Sequence, residues 1–279
     1  MSTPQDEGFA GVGELPPYRS LLVVDMKDYS GSSGREQTSL TQEIPGIMAE
    51  AFTRCGLDTV WQRKTFHNTT GDGYAVGFPT EVLPFLLNPY LGSLQRELED
   101  RNRHLPRSRA MIRMRVSVSV GPVTDTGTNL LGDGSGPARV ELHRLLDSGP
   151  VRHLLAKSDP DSTFVAAVVS SRAYEDAVLS GYADEPSSLY VDAPVQVKTY
   201  HGNAYLRVPK PTGGLLTEGF RTPLKTQAES SGGAAAAQGQ PAGHSLGTVG
   251  SIGNFITHSS GPINTGSGPQ TIGDTRYDR

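Results

Sequence analysis

The chain has 279 residues, of which 35% are hydrophobic and 19% are charged. This apolar content is enough for one buried core of ordinary size, and it predicts that part of the chain lies outside that core. With 25 Lys and Arg against 29 Asp and Glu, the formal net charge is −4, which disfavours nucleic acid or an anionic membrane as a partner. Cys55 is the only cysteine, so an internal disulfide is excluded. The sequence has no apolar run of membrane-spanning length and no secretion-signal profile, so we expect a cytoplasmic protein.

Composition divides the chain near residue 211. Residues 212–279 are rich in Gly, Ser and Thr, and the stretch SSGGAAAAQGQPAGHS within them has no periodic apolar face to bury. The sequence therefore predicts four regions: a flexible N-terminus over 1–17, a folded domain over 18–210, a disordered linker over 211–247 and a Gly/Ser/Asn-rich tail over 248–279.

The first half of the domain predicts a strand, a helix, a hairpin and a second helix. Residues 19–25 form a short β-branched run typical of a buried strand, and 37–55 carry apolar residues at helical spacing. Two strand-like runs, 60–68 and 74–78, are separated by a turn that contains an Asp-Gly dipeptide, which favours a hairpin. A helix is predicted over 81–104, with a break near Asn88-Pro89.

The second half opens with the strictly alternating segment MIRMRVSVSV at 111–120. The alternation predicts a strand with one face on the core and with Arg113 and Arg115 on its outward face, either at an interface or in solvent. The later elements are a helix over 138–155, a strand over 164–170, a helix over 171–179 and a hairpin over 189–198 and 203–208 around His201-Gly202. This order predicts an α+β fold with a ferredoxin-like β-α-β-β-α-β core, a mostly antiparallel sheet and helices on one face.

Two acids carry the predicted chemistry. Asp25 ends the first strand and Asp72 lies at the tip of the hairpin, so both can reach the same end of the sheet. Paired carboxylates there suit Mg²⁺ or Mn²⁺, which would hold nucleotide phosphates, and Gly71 and Gly73 leave room for a phosphate near the backbone. The alternative is that Asp25 caps the following turn and Asp72 only builds the hairpin.

Four segments occur in an order and at intervals that resemble the class III nucleotidyl cyclase homology domain, the adenylyl and guanylyl cyclase family: LLVVDMKDYS, NTTGDGYAVGF, RVSVSVGPV and DGSGPARVELHRLLDS. The resemblance covers about residues 19–210. Two further segments, RLLDSGPVR and VQVKTYHGNAYLRVP, are similar in particular to cyclase-like proteins of actinobacteria.

The resemblance implies roles for individual residues. Asp25 and Asp72 match the two acids that bind two metal ions in the family, with the backbone of Met26 next to the first. Asp133 matches a position that contacts the purine base. Arg144 matches the arginine that stabilises charge on the transferring α-phosphoryl group, a role suited to a permanently charged guanidinium.

Two positions depart from the family pattern. Asn68 stands where the family has a lysine or a glutamate that selects the base, so the identity of the base cannot be carried over. Val140 stands where the family has an asparagine that orients the ribose. Because losing one transition-state contact costs about 10²–10³ in rate, Val140 favours slow turnover, an altered nucleotide such as a pyrimidine, or binding alone.

The resemblance implies an enzyme that converts a nucleoside triphosphate to a 3′,5′-cyclic monophosphate and pyrophosphate by two-metal catalysis. Sites in the family form between two such domains, which implies a homodimer with the metal acids from one chain and Asp133 and Arg144 from the other. The alternative is a catalytically degenerate nucleotide-sensing or scaffold protein of a bacterial signalling or defence system, assembled through its tail.

The tail contains Ile263-Asn264-Thr265-Gly266 and Gln270-Thr271-Ile272-Gly273. These segments are similar to the short amyloid-forming motifs of the RIP-homotypic-interaction type, which implies self-assembly or recruitment of a partner. Pro262, Pro269 and the glycines favour the alternative of a plain disordered tail.

Overall fold

The computed structural model describes residues 13–31, 33–106 and 109–220. The predicted tail with its motif at 263–273, most of the predicted linker and residues 1–12 lie outside the described residues. Within the described part of the chain, no helix has both the length and the apolar content needed to cross a membrane.

In the described part of the chain, seven strands form one sheet in the order β2-β3-β1-β4-β5-β7-β6. Every neighbouring pair is antiparallel except β4 and β5. The predicted α+β fold with a mostly antiparallel sheet is confirmed, and the order of the first four strands is that of a ferredoxin-like core. The strands are β1 (Tyr18–Met26), β2 (Phe66–Thr69), β3 (Gly73–Pro79), β4 (Met114–Pro122), β5 (Val165–Ser170), β6 (Val191–Val197) and β7 (Tyr200–Arg207).

The described residues also form eight α-helical segments, of which all but the last lie between strands: α1 (Gly34–Arg54), α2 (Asp58–Gln62), α3 (Leu83–Leu87), α4 (Tyr90–His104), α5 (Pro137–Leu146), α6 (Gly149–Lys157), α7 (Ser171–Tyr174) and α8 (Gly214–Glu218). The break predicted near Pro89 separates α3 from α4. A second break, which was not predicted, separates α5 from α6, where Pro150 opens α6 because proline suits a first helical turn better than a helix interior.

Two local predictions differ from the structure. The strand predicted over 60–68 is confined to β2, and the first part of that segment forms the helix α2 instead. Val60 and Trp61 of α2 are buried in the hydrophobic core. A short apolar run does not distinguish a strand from a helical turn. The last hairpin turns between Val197 and Tyr200 rather than at His201-Gly202, and Lys198 adopts the positive φ of 53° that this turn requires.

Helices cover both faces of the sheet. The two long helices of the ferredoxin-like core, α1 and α4, pack on one face as predicted, against Leu22 and Val24 among others. The alternate residues of β1, Leu21 and Val23, pack against α5 on the opposite face, whereas the sequence predicted helices on one face only. That face is covered because α5 and α6 form the crossover between the parallel strands β4 and β5.

This crossover also corrects the prediction for Arg113, which was expected on an outward face. Its side chain is buried, and its guanidinium donates hydrogen bonds to the carbonyl oxygens of Leu155 (2.7 Å) and Thr163 (3.0 Å) and to Oγ of Ser158 (2.7 Å). Arg113 therefore ties β4 to the end of α6 and to the start of β5.

Candidate functional site

The structure brings Asp25 and Asp72 together at one end of the sheet. Asp25 is the penultimate residue of β1 and lies opposite Gly73, the first residue of β3. The amide of Met26 donates a hydrogen bond of 2.9 Å to the carbonyl oxygen of Asp72. The hairpin tip is thus bonded directly to the end of β1, and the two carboxylates become neighbours.

Glycines allow this close approach. A Cβ atom on Gly73 would lie 2.5 Å from the carbonyl oxygen of Val24 and 2.6 Å from Oγ1 of Thr70. Gly71 adopts a φ of 88°, a conformation that favours glycine. The carbonyl oxygen of Gly71 also accepts a hydrogen bond of 2.9 Å from Oγ1 of Thr41, which ties the hairpin tip to α1.

The electrostatics of the acid pair depend on burial and on one arginine. Asp25 is only 8% exposed. The pKa of Asp25 is raised to about 7, chiefly by burial and also by the neighbouring Asp72 carboxylate, while Arg115 acts in the opposite direction. The Arg115 guanidinium donates a hydrogen bond to Oδ2 of Asp25, while its Nε is buried without a partner among the described residues.

Arg115 is the site residue that sequence reasoning missed. Its place in an alternating strand indicated an outward-facing side chain, but the register sets Arg115 directly opposite Asp25. The pairing of β1 with β4, rather than any local pattern, is the feature that would have located it.

The acid pair fits a divalent cation that takes its remaining ligands from a substrate. Within the described residues, no group of three or more His, Cys, Asp or Glu side chains could hold a metal ion on its own. Mg²⁺ usually binds through one or two carboxylates together with substrate phosphates and water. Asp25 and Asp72 supply those two carboxylates, and a cation would offset the repulsion between them.

The other predicted residues lie around α5. A cavity on the surface is lined by Ser135, Gly136, Arg139, Val140, His143 and Arg144. Val140 is 56% exposed. Arg144 has no hydrogen-bond or ion-pair partner among the described residues, which leaves a free cationic side chain in this cavity.

Asn68 lies beside this cavity, in β2. Nη2 of Arg139 donates a hydrogen bond of 2.6 Å to Oδ1 of Asn68. The guanidinium of Arg139 lies close to Gly134, where a Cβ atom would come 2.8 Å from Nη1 and 2.3 Å from the ring of Phe66. The structure thus places the predicted base-contacting position next to an arginine that the sequence did not single out.

The Asp133 side chain is held by hydrogen bonds within its own loop. Its carboxylate accepts hydrogen bonds from the hydroxyl (2.7 Å) and the amide (3.0 Å) of Thr126 and from the amide of Leu130 (2.9 Å). The bond from the Thr126 hydroxyl lowers the pKa of Asp133. A direct contact between Asp133 and a base would therefore compete with three loop hydrogen bonds.

The solved structures that resemble this chain include cyclase domains of low sequence identity. The guanylyl cyclase Cya2 has 15% identity over 71% of this chain and 93% of its own, with a TM-score of 0.45. The dimeric guanylyl cyclase domain of the RhoGC fusion protein from the aquatic fungus Blastocladiella emersonii has 14% identity over 71% and 97%, with a TM-score of 0.43. An adenylate cyclase from Trypanosoma brucei, described in its monomeric state, has 12% identity over 70% and 90%, with a TM-score of 0.40.

No protein-family model matches the chain, and no curated protein is significantly similar to it.

Proposed function

We propose that this domain binds a nucleoside triphosphate with Mg²⁺ or Mn²⁺ and converts it to a 3′,5′-cyclic monophosphate and pyrophosphate. The observation that carries the proposal is the convergence of Asp25 and Asp72, held by the bond between the Met26 amide and the Asp72 carbonyl. Two acids that served only as a cap and a turn would have no need to lie side by side, with Asp25 nearly buried and bonded to an arginine.

In the proposed reaction, the ribose 3′-hydroxyl gives up its proton to water and its oxygen forms a bond to the α-phosphorus, while the bond from the α-phosphorus to the oxygen that bridges it to the β-phosphorus breaks and releases pyrophosphate. The divalent ions, when bound, activate the 3′-hydroxyl and neutralise the triphosphate. Asp25 and Asp72 hold these ions. Arg144, which has no partner in the described chain, stabilises the charge that develops on the α-phosphoryl oxygens.

Arg115 adds a fixed positive charge to the same place. Its buried Nε lacks a hydrogen-bond acceptor in the described structure, and an unsatisfied buried donor is costly. The guanidinium is bonded to Oδ2 of Asp25, so we assign Arg115 to holding the Asp25 carboxylate in place.

We further propose that the site forms between two copies of the chain, with Asp25 and Asp72 from one copy and Arg144 from the other. Three apolar side chains in α5 and in the loop that precedes it are exposed: Leu130 at 58%, Leu131 at 108% and Val140 at 56%. Exposed apolar side chains of this kind can form an interaction surface. A second copy would bury them and complete the site.

A second candidate is a cyclase-like protein that binds nucleotides without turning them over. Two observations favour it: Val140 replaces a ribose-orienting asparagine, and Arg115 occupies an oxygen of Asp25 that a metal ion would need. In this case the domain would act as a nucleotide sensor or scaffold, with the tail over 248–279 recruiting partners.

One experiment separates the two candidates. The purified full chain is incubated with ATP, GTP, CTP and UTP, each with Mn²⁺, and cyclic monophosphates are measured by mass spectrometry. We expect product from at least one nucleotide, loss of that product in Asp25→Ala and Asp72→Ala, and full activity in Asp192→Ala, a matched change at an exposed position of β6. Metal-dependent binding of a nucleotide without any product would favour the second candidate. The absence of both nucleotide binding and product would exclude both candidate functions.

A further inference from the structure

Arg144 has two acidic neighbours along its own helix. Glu141 lies three positions before it in α5, and Asp147, the residue that caps the end of this helix, lies three positions after it. Residues three positions apart are neighbours on a helix surface, and a carboxylate at this spacing ordinarily pairs with an arginine. Neither acid is bonded to Arg144 in the described structure, so both carboxylates must be held elsewhere.

Glu141 is held by two hydroxyl groups of the sheet. Its Oε1 accepts a hydrogen bond of 2.9 Å from the hydroxyl of Tyr200, the first residue of β7, and its Oε2 accepts one of 3.1 Å from Oγ of Ser119 in β4. Gly202 leaves space for the Tyr200 side chain, since a Cβ atom there would lie 2.8 Å from the hydroxyl oxygen. The pKa of Tyr200 is raised by burial and by the Glu141 carboxylate, so the hydroxyl stays protonated and remains a donor.

Asp147 is held by a different arginine. Its Oδ1 accepts a hydrogen bond of 2.9 Å from Nη2 of Arg152 in α6. This pair is exposed, so it restrains Asp147 less firmly than the two partly buried contacts restrain Glu141. The two acids nearest to Arg144 along the chain thus both have another partner.

The cavity beside α5 consequently contains two arginines and no carboxylate. Its lining in the described structure includes Arg139, His143 and Arg144 but no Asp or Glu. Arg139 donates a hydrogen bond to Asn68, which is uncharged, so this contact leaves the charge of Arg139 in place. Guanidinium groups without a carboxylate partner favour an anionic ligand, and their planar donors suit the oxygens of a phosphate group.

We propose that Tyr200 and Arg152 are positioning residues, which hold the carboxylates of Glu141 and Asp147 away from Arg144 and so keep its charge available to a polyphosphate. The inference rests on the proposed function for the identity of the ligand, because that function brings a triphosphate to Arg144. It adds roles for Tyr200 and Arg152, neither of which the sequence singled out.

Releasing either acid should weaken the binding of a polyphosphate. In Tyr200→Phe the Glu141 carboxylate loses one of its two donors and can pair with Arg144 instead. In Arg152→Met the Asp147 carboxylate can do the same. Exposed ion pairs are weak, so Arg144 would stay unpaired in a fraction of the molecules. Because the apparent affinity scales with that fraction, we expect a loss of about two- to sixfold in each variant.

The test uses inorganic triphosphate as the probe, in EDTA and without a nucleotide. Calorimetry on the full chain at low ionic strength, where screening is weakest, gives the dissociation constant. We expect Arg144→Ala to weaken binding by about tenfold or more, and Tyr200→Phe and Arg152→Met to weaken it by about two- to sixfold. Tyr182→Phe and Arg172→Met, matched changes at exposed positions, should leave the dissociation constant unchanged.

Removal of the released charge gives a readout that a purely structural role would not. Tyr200→Phe combined with Glu141→Gln should recover the wild-type affinity, because the released side chain no longer carries a charge. Arg152→Met combined with Asp147→Asn should recover it for the same reason. If Tyr200 only supported the fold, the second substitution would weaken the remaining contact with Ser119 and could not restore binding.

The outcomes separate this inference from the proposed function. Absence of triphosphate binding to the wild-type protein, or equal binding by Arg144→Ala, would overturn the inference, whereas cyclic product formed with Mn²⁺ would still support the proposed function. If both rescues succeed and no nucleotide gives product, the inference stands and the proposed reaction does not. A folded Tyr200→Phe or Arg152→Met protein that keeps the wild-type affinity, or whose loss is not rescued, would exclude that residue from the role, and failure of both would overturn the inference.

Discussion

Replacing Gly73 by alanine is expected to separate the hairpin from β1 and so to weaken the metal site. The new Cβ would lie 2.5 Å from the carbonyl oxygen of Val24, whereas ordinary contact begins near 3.4 Å, so one of the two strands must move by about 0.9 Å. The Val24 oxygen belongs to the paired backbone of β1 and cannot rotate away. Overpacking of this kind costs about 1–3 kcal/mol of unfolding free energy.

The same displacement should move the Asp72 carboxylate away from Asp25. With Mn²⁺ at 100 times the wild-type dissociation constant, bound metal stabilises the fold by about 2.7 kcal/mol, and a tenfold loss of affinity reduces this to about 1.4 kcal/mol. Urea denaturation followed by circular dichroism, with and without Mn²⁺, measures both effects.

Gly46→Ala is the matched control. Its Cβ would meet nothing within 4 Å, and alanine in the interior of α1 should raise the unfolding free energy by up to about 1 kcal/mol. If Gly73→Ala unfolds at the wild-type urea concentration and retains the full stabilisation by Mn²⁺, the proposed coupling between the hairpin and the acid pair is refuted.

Three further predictions concern other parts of the domain. Val140→Asn should raise kcat by about 10²–10³, because it restores the asparagine expected before Arg144; an unchanged kcat in a mass-spectrometric assay would show that this position does not limit turnover. Arg113→Met should lower the unfolding free energy by at least about 2 kcal/mol, because it leaves buried acceptors unpaired, while the same change at the exposed Arg172 should stay within about 0.5 kcal/mol. Leu131→Asp should shift the protein from dimer to monomer in light scattering without lowering the melting temperature, and an unaffected dimer would exclude this surface as the interface.

The sequence predicted those parts of the site that depend on residues close to one another in the chain. Asp25 follows a β-branched run, and Asp72 lies in an Asp-Gly turn between two strand-like segments, so local patterns were enough to place both at strand ends. Their convergence then follows from the β-α-β-β order, in which the first strand pairs with the hairpin.

The parts that escaped prediction depend on contacts between distant segments. Arg113 and Arg115 alternate with apolar residues as they would on a solvated strand, and only the crossover of α5 and α6 over that face shows that they are covered. Arg139 and Tyr200 are unremarkable in sequence, and their importance comes from single hydrogen bonds across more than 50 residues.

The resemblance to the cyclase family was least informative where the local environment changes the chemistry of a matched residue. The resemblance predicts that Asp133 contacts a base, but the Asp133 carboxylate accepts three hydrogen bonds within its own loop. The resemblance also predicts a base-contacting position at Asn68, and only the structure shows that Arg139 donates a hydrogen bond to this side chain.

The central claim is that Asp25 and Asp72 together bind divalent cations for a nucleotide. Electron paramagnetic resonance of Mn²⁺ titrated into the full chain with a 3′-deoxynucleoside triphosphate tests it most directly, because free and bound Mn²⁺ give different spectra. The account predicts bound Mn²⁺ in the wild-type protein and in Asp192→Ala, and loss of that bound population in both Asp25→Asn and Asp72→Asn. Equal Mn²⁺ binding in the wild-type protein and the two acid variants would contradict it.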